Sequence, residues 1–311
     1  MIKIDKVDLN IISEEYFLYL YTWLFDKGNF DALKESVIQP TDDPQSIRGY
    51  KFLCYKMKAT LKERSFVLAS PSKLESWMHI KNHKGKHIER FTSLMTKLYE
   101  RFFQLNIKKD QDVGYWLVER LKIRVCPYCN RNYIFTANAS GTPKVRAQFD
   151  HYLPKKKYPM FALCFYNLIP SCSICNKLKG EQLISFNPYQ EGFPINQKFI
   201  LSKGESDLSW VHPTSELKVS LTNSRDNLNK KQFLLEQLYQ QHADVAKDIV
   251  MKAQAYNDNY YDGIIHSFQG AGYTKEYINN LIWGTYTNDN LLGKRPFSKF
   301  TKDILKQIGI I

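Results

Sequence analysis

The spacing of apolar residues predicts helices in the first part of the chain. Leu94, Leu98 and Phe102 recur every four residues, so they would line one face of a helix. Residues 115–121 show similar spacing and predict another short helix. We therefore expect residues 1–121 to form a mainly helical N-terminal region.

The pattern changes in the middle of the chain. Residues 133–136 and 144–149 predict two short strands that pair with each other and lead to His151. A helix is expected to follow from about Ser171 or Ser173. Residues 122–190 therefore predict a core of strands and one helix.

Two more strands and further helices are expected towards the C-terminus. Residues 199–202 and 217–222 predict the strands, a long helix is expected after Asn227, and another helix closes the chain. The predicted fold class is α+β. Residues 122–190 would form the core between the helical N-terminal region and residues 191–311, where short strands precede helices.

The chain carries a strong positive charge. Its 311 residues include 44 Lys and Arg against 31 Asp and Glu, so the formal net charge is +13 and the pI is about 9.2. Such a charge favours a polyanionic partner, nucleic acid first and an anionic membrane second, although it also fits a protein that simply has many lysines. No secretory signal opens the chain, and the most apolar stretch, residues 16–25, is too short to span a bilayer. We therefore expect a cytoplasmic protein with no membrane partner.

Two Cys-x-x-Cys pairs, with 42 residues between them, offer four thiol ligands: Cys126, Cys129, Cys172 and Cys175. In a reducing compartment such pairs indicate a metal rather than disulfides. Four thiolates would hold Zn²⁺ in a closed tetrahedral site with no position for water, so this zinc is expected to be structural. The alternative is a redox Cys-Pro-Tyr-Cys motif of the thioredoxin type, which would not need the second pair. Cys54 and Cys164 stand alone and are expected to be buried apolar residues.

Four polar residues accompany the cysteines and suit metal-assisted hydrolysis of a phosphodiester. His151 can deprotonate water, because imidazole titrates near neutral pH. Asp150 and Asn176 are hard oxygen ligands that suit Mg²⁺ or Mn²⁺. Asp150 and His151 are neighbours at a strand end, so their side chains should diverge, one towards the metal and the other towards the water. Asn167 is expected to brace the loop that orients His151.

Positive charge is concentrated around these residues. Residues 122–180 contain ten Lys and Arg and a single acid, Asp150, which suggests a metal ligand within a phosphate-binding surface. Arg131, Lys177 and Lys179 lie close to the predicted site in sequence, and we expect them to contact phosphate. The alternative for these three residues is an ordinary solvated surface.

At these positions the chain resembles the HNH endonuclease family, whose core is a ββα-metal unit. The resemblance covers about residues 126–180 and matches Asp150, His151, Asn167 and Asn176 to the family motif. It implies that His151 is the general base and that Asn167 orients it. It also implies that Asp150 and Asn176 bind the catalytic metal, with asparagine at a position where some members have histidine. Many members carry a zinc held by two Cys-x-x-Cys pairs.

A narrower resemblance is to the HNH subunit of Septu-type anti-phage systems, which is also found with some retrons. It rests on three segments: Cys-Pro-Tyr-Cys-Asn-Arg-Asn-Tyr from Cys126, Asp-His-Tyr-Leu-Pro-Lys-Lys-Lys-Tyr-Pro from Asp150, and Asn-Leu-Ile-Pro-Ser-Cys from Asn167. It implies an ATPase partner of the ABC or SMC-like type and an activity released on infection. The chain has no Gly-rich Walker loop, so any ATP hydrolysis must come from another chain.

The sequence therefore predicts a metal-dependent HNH endonuclease, with DNA the favoured substrate, as the effector nuclease of an anti-phage system. A nuclease for structured RNA such as tRNA would have the same site, because the attack on phosphorus is the same. The alternative outside enzymes is a non-catalytic zinc ribbon that binds nucleic acid or protein. A zinc ribbon explains the cysteines and the charge, but not the joint occurrence of Asp150, His151 and Asn176. Sequence specificity, the trigger, the oligomeric state and the identity of the partner stay open.

Overall fold

In the computed structural model, contacts divide the chain into two units, and the α+β fold class predicted from the sequence is confirmed. The structure describes residues 2–4, 8–79, 85–108, 111–139, 142–192, 196–203, 211–212, 214–222, 227–256 and 258–311. The first unit comprises Ile4–Ile123 and Ile134–Gln190, and the second comprises Met1–Lys3, Arg124–Tyr133 and Glu191–Ile311. Among the described residues, no helix combines the length and the apolar character needed to cross a membrane.

The helical part of the first unit comes early in the chain, as predicted. Its helices are α1 (Leu9–Tyr21), α2 (Asn29–Glu35), α3 (Pro44–Lys62), α4 (Arg64–Val67), α5 (Pro71–Ser76), α6 (Lys86–Phe103) and α7 (Val113–Leu121). On α6 the expected apolar face is present, because Leu94, Leu98 and Phe102 are fully buried. α7 begins after Asp112, whose side chain accepts a hydrogen bond from the Tyr115 N–H at 2.8 Å and so caps the helix.

Short antiparallel strand pairs complete the first unit. The strands are β1 (Asn106–Lys108), β2 (Gln111–Asp112), β3 (Ala137–Ala139), β4 (Thr142–Val145), β5 (Gln148–His151) and β6 (Leu168–Ser171). β1 pairs with β2, β3 with β4, and β5 with β6. The last pair joins segments that lie well apart in the sequence.

The predicted pairing of residues 133–136 with residues 144–149 is wrong. Tyr133 forms an isolated bridge elsewhere, and the hairpin is made by β3 and β4. β5, which ends at His151, pairs instead with β6. β6 shows no alternation of apolar and polar positions, because all four of its residues are buried and one is Pro170.

A helix follows β6 directly and packs against β5. α8 (Ser173–Lys179) starts close to the predicted position and ends at Gly180, which adopts a positive φ of 49° that glycine tolerates well. β5, β6 and α8 thus form a strand, strand, helix unit. This unit carries most of the candidate site.

The second unit combines one strand pair with helices. β7 (Phe199–Ser202) and β8 (Lys218–Leu221) pair antiparallel, which confirms the two strands predicted there. The helices are α9 (Asn227–Gln232), α10 (Leu235–Gln240), α11 (Ala243–Ala255), α12 (Asp258–Gly270), α13 (Lys275–Trp283) and α14 (Ser298–Gln307). α14 packs on β7, where the Asp303 carboxylate accepts a hydrogen bond from the Phe199 N–H at 2.9 Å.

The single long helix expected after Asn227 is wrong, because the chain breaks it into α9, α10 and α11. Leu234 adopts a left-handed φ of 47° between α9 and α10, and the chain turns again at His242 before α11. Apolar periodicity does not reveal such breaks, since a turn of one or two residues leaves the spacing on either side nearly in phase.

Residues 122–190 do not form a unit of their own. Residues 124–133 belong to the second unit, where the Asn130 side chain donates to the Leu292 carbonyl at 2.8 Å and accepts from the Lys299 N–H at 3.0 Å. The remainder of the stretch belongs to the first unit, because β5 packs against α6. The predicted boundary at 190 therefore coincides with a division between the units, and that at 121 lies two residues from the division after Ile123, but the stretch between them is split at Tyr133.

Candidate functional site

Four cysteines form a buried cluster that can hold a metal ion. The Sγ atoms of Cys126, Cys129, Cys172 and Cys175 all lie within 4.8 Å of one another, and all four residues are buried. Sulfurs at the corners of a tetrahedron around Zn²⁺ would be about 3.8 Å apart, because each Zn–S bond is about 2.3 Å long. The spacing and burial therefore fit a four-coordinate metal, as the sequence predicts.

The first cysteine pair lies in a hydrogen-bonded turn. The Cys126 N–H donates to the Asn132 carbonyl at 2.9 Å, and the Asn130 N–H donates to the Cys126 carbonyl at 2.8 Å. The Arg131 N–H donates to Cys129 Sγ at 3.4 Å, and such bonds stabilise a thiolate. A redox motif of the thioredoxin type would open a helix here, so the turn does not fit that alternative.

The second cysteine pair opens α8. Cys172 is the N-cap residue, and its Sγ accepts a hydrogen bond from the Cys175 N–H at 3.4 Å. Cys54 and Cys164 lie outside the cluster and are buried. Burial raises the pKa of both thiols, that of Cys54 to about 11, so these two behave as small apolar residues, as predicted.

Two polar pairs join β5 to α8. Gln148 Oε1 accepts from Asn176 Nδ2 at 2.8 Å, and Asp150 Oδ1 accepts from Lys179 Nζ at 3.2 Å. Gln148 and Asp150 are two positions apart on a strand, while Asn176 and Lys179 are three apart on a helix, so each pair of neighbours shares a face. Asp150 and Asn176 therefore lie on the same side of β5, as ligands of one metal ion must.

Lys179 is a buried counter-ion of Asp150 rather than a surface cation. Its side chain is fully buried, that of Asp150 is 4% exposed, and Nζ also donates to the His151 carbonyl at 2.6 Å. Burial lowers the pKa of Lys179, and the Asp150 carboxylate opposes that shift. The predicted contact of Lys179 with phosphate is corrected by this placement, because the ammonium is enclosed by protein.

His151 lies at the end of β5 on the opposite face. Its ring meets the ring of Tyr99 edge-on with centroids 4.6 Å apart, and Nε2 lies 3.1 Å from the Ala162 carbonyl oxygen. A carbonyl oxygen only accepts, so Nε2 carries the proton and Nδ1 keeps its lone pair. Burial lowers the pKa of His151 to about 3, and the charges of Lys155 and Lys179 add to this shift while the Ala162 bond opposes it. The imidazole is therefore neutral near pH 7, with Nδ1 as its basic atom.

Asn167 binds the loop that follows His151. It is fully buried; its Oδ1 accepts from the Leu153 N–H at 2.7 Å, and its Nδ2 donates to the carbonyls of Leu153 at 3.2 Å and Phe161 at 2.9 Å. Phe161 directly precedes Ala162, whose carbonyl holds the His151 ring. Asn167 thus holds the loop that supplies the orienting carbonyl, and its part in catalysis stays a prediction.

The other two predicted phosphate contacts lie in different surroundings. Lys177 is exposed on α8. Arg131 turns inwards, where Nη1 donates to His242 Nε2 at 3.1 Å. Its Nε and Nη2 atoms are shielded from solvent and make no hydrogen bond to the described part of the chain. A surface phosphate contact by Arg131 therefore does not fit this geometry.

Sequence reasoning missed two residues that lie on the His151 face of β5. Tyr99 comes from α6, and its contact with His151 exists only because the helix packs on the strand. Arg146 lies just before β5, with its guanidinium over the Phe149 ring. It is one of the ten cations of residues 122–180, and nothing in its spacing distinguishes it from the others.

No profile of a known family, no curated protein and no solved structure matches this chain. Its function is therefore inferred from the cysteine cluster, from the unit formed by β5, β6 and α8, and from the residues that this unit brings together.

Proposed function

We propose that this chain is a metal-dependent endonuclease of the HNH type. The observation that carries the proposal is the order of side chains on the strand, strand, helix unit. His151 ends β5, Asn167 directly precedes β6, and Asn176 lies on α8. The Nε2 atom of His151 is bonded to a carbonyl, which leaves Nδ1 as a base.

In the proposed reaction, Nδ1 of His151 takes a proton from the attacking water. The water oxygen attacks phosphorus, and the bond from phosphorus to the leaving oxygen breaks. The lowered pKa keeps the imidazole neutral before substrate binds. A bound phosphate would raise that pKa, because its negative charge stabilises the imidazolium. His151 would therefore become a stronger base once substrate is bound. Asn167 holds the loop that orients the ring.

Asp150 and Asn176 are the residues that would hold a divalent cation, Mg²⁺ or Mn²⁺. Both supply hard oxygen atoms, and the Lys179 ammonium, whose Nζ is 3.2 Å from Asp150 Oδ1, would share that carboxylate with the cation or compete with it. The Asn176 nitrogen is bonded to Gln148, and among the residues described its Oδ1 accepts no hydrogen bond. When bound, such a cation would stabilise negative charge on the phosphate and on the leaving oxygen.

We assign Zn²⁺ to the four-cysteine cluster as a structural metal. Four thiolates complete a tetrahedral coordination sphere, so no position is left for water or substrate. The sulfurs of Cys129 and Cys172 each accept a backbone N–H, which stabilises the thiolate form. The binding free energy of such a site contributes to folding.

Nucleic acid is the proposed substrate, with DNA favoured. The formal net charge of +13 and the ten basic residues of residues 122–180 support a polyanionic substrate. The resemblance of three segments to the Septu HNH subunit supports a role in anti-phage defence beside an ATPase partner. Cleavage of structured RNA and a non-catalytic zinc ribbon are the alternatives.

Cleavage assays on the wild-type chain and on His151→Ala test the proposal. Plasmid DNA and total RNA are each incubated with Mg²⁺, and parallel reactions contain EDTA. We expect the wild type to nick plasmid only when Mg²⁺ is free, and we expect His151→Ala to be about 10²–10⁴-fold slower because the base is lost.

His79→Ala is the matched control, because His79 is an exposed histidine of the same unit, and it should cleave like the wild type. Equal nicking by the wild type and His151→Ala would refute the proposed nuclease activity. Binding of nucleic acid without any cleavage would favour the zinc ribbon, and faster cleavage of RNA than of plasmid would favour the RNA nuclease.

A further inference from the structure

Arg146 lies on the face of β5 that also carries His151. Its guanidinium lies over two aromatic rings, with Cζ 5.9 Å from the centroid of Phe149 and 5.8 Å from that of Tyr115. Phe149 and His151 are two positions apart on β5, so they point to the same face. The cation is therefore held on the side of the strand where the proposed base lies.

The guanidinium of Arg146 uses only part of its hydrogen-bonding capacity. Nη1 donates to the Ala147 carbonyl at 3.0 Å. Within the described residues, Nε and Nη2 of Arg146 find no acceptor, and no carboxylate lies within 4.0 Å of the guanidinium. Arg90 and Arg120 of the same unit are instead paired with carboxylates. An arginine that is held in place but not neutralised is suited to bind an anion from outside.

The start of α7 is shaped to hold this side chain. Gly114 has no side chain, and a Cβ there would lie 2.9 Å from both Cζ and Nε of Arg146. The next residue, Tyr115, supplies one of the two rings, and Asp112 caps the helix so that this turn is fixed. The flat guanidinium thus lies against two aromatic faces and against Gly114, where the absence of a side chain leaves room for it.

The charge of Arg146 also reaches the other neighbour of His151. Burial raises the pKa of the Tyr99 phenol, and the positive charge of Arg146 opposes that shift. The ring of Tyr99 contacts His151 edge-on. Arg146 and His151 are thus linked through residues that lie on one side of β5.

We propose that Arg146 binds a phosphate of the nucleic-acid backbone on which His151 acts, donating from Nε and Nη2. This inference rests on the proposed function and adds a substrate-binding residue to it. A guanidinium presents two parallel N–H groups that match two phosphate oxygens, and the contact is with the backbone, so it carries no base preference. Arg146 thereby takes the role that the sequence predicted for Arg131 and Lys179.

Binding of a fluorescein-labelled DNA duplex and of a labelled RNA hairpin, measured by anisotropy in the His151→Ala protein, tests the inference without any cleavage. We expect Arg146→Ala to weaken binding about tenfold or more, because a charged two-point contact is lost. The slope of log affinity against log salt concentration should fall by about one charge. Arg146→Lys should keep the slope but bind less tightly than the parent, because lysine keeps the charge but lacks the two parallel N–H groups of the guanidinium.

Gly114→Ala separates a binding role from a structural one. It changes no charge, and the methyl group meets the movable end of Arg146, so binding should weaken while the unfolding temperature does not fall. Arg101→Ala is the control, because Arg101 is an exposed arginine on α6, about 200° around the helix from Tyr99. It should bind like the parent.

Equal affinity of Arg146→Ala and Arg101→Ala would overturn the inference, and so would parental binding by Gly114→Ala or no binding by the parent. These outcomes are distinct from failure of the proposed function. If the chain binds nucleic acid through Arg146 but cleaves nothing, the binding role of Arg146 stands and the proposed nuclease activity is refuted. If the chain cleaves without help from Arg146, the nuclease activity stands and the binding role of Arg146 is refuted.

Discussion

The buried pair of Asp150 and Lys179 gives the sharpest prediction about the proposed metal site. Lys179→Met keeps most of the side-chain volume and removes the ammonium, so the buried Asp150 carboxylate loses its contact with the Lys179 cation. The lysine is 0% exposed and the aspartate 4%, at an N–O distance of 3.2 Å. At an effective dielectric constant of about 20, that distance corresponds to about 5 kcal/mol of attraction. Breaking one side of such a pair destabilises proteins by about 3–5 kcal/mol, so we expect a loss in that range.

The double variant Asp150→Asn, Lys179→Met should lose much less than Lys179→Met alone. Neither charge is then buried, and the remaining loss is that of hydrogen bonds, about 1–2 kcal/mol. The two substitutions should therefore be coupled by at least about 2 kcal/mol in a double-mutant cycle. Mg²⁺ should also raise the unfolding temperature of Lys179→Met more than that of the wild type, since Asp150 can then be neutralised by the added cation.

Thermal unfolding, followed by calorimetry and circular dichroism, measures these effects. In a structural unit as large as the first one, each kcal/mol of lost stability lowers the unfolding temperature by about 2–4 °C. Lys179→Met should therefore unfold about 6–20 °C below the wild type. Lys177→Met is the control, because Lys177 is an exposed lysine on the same helix. If Lys179→Met unfolds within about 2 °C of Lys177→Met, or if the cycle is additive, the buried ion pair is refuted.

Three further predictions concern the other parts of the site. The pKa of His151, lowered to about 3, lies below the unfolded value of about 6.5, so the folded state binds fewer protons between those pH values and loses stability as pH falls below 6.5. This loss is about 2 kcal/mol at pH 5; by urea unfolding, the stability lost between pH 7 and pH 5 should be larger in the wild type than in His151→Gln by about that amount. Cys172→Ser should purify without zinc and unfold at a lower temperature, whereas Cys164→Ser should keep its zinc by elemental analysis; equal zinc in both would contradict the cluster. Asn167→Ala leaves the buried partners at Leu153 and Phe161 unsatisfied, so it should lose about 2–4 kcal/mol and speed amide exchange in residues 152–161. Unchanged exchange there would contradict the bracing role.

The sequence by itself determined the features that depend on local chemistry. Two Cys-x-x-Cys turns each present two sulfurs wherever they lie, so their spacing predicted the cluster that the structure brings together. The buried face of α6 and the strand pair of β7 and β8 follow from apolar periodicity, because burying one face of an element requires that spacing.

Only the tertiary structure decided which residues meet across the candidate site. The pairing of β5 with β6 joins distant segments, and β6 is buried on both faces, so no alternation marks it. The same packing turned Lys179 inwards onto Asp150 and brought Tyr99 against His151. The sequence alone does not show whether a lysine lies on the surface or in the core. Its role depends on which carboxylate the fold places within reach, and that is a property of long-range contacts rather than of spacing along the chain.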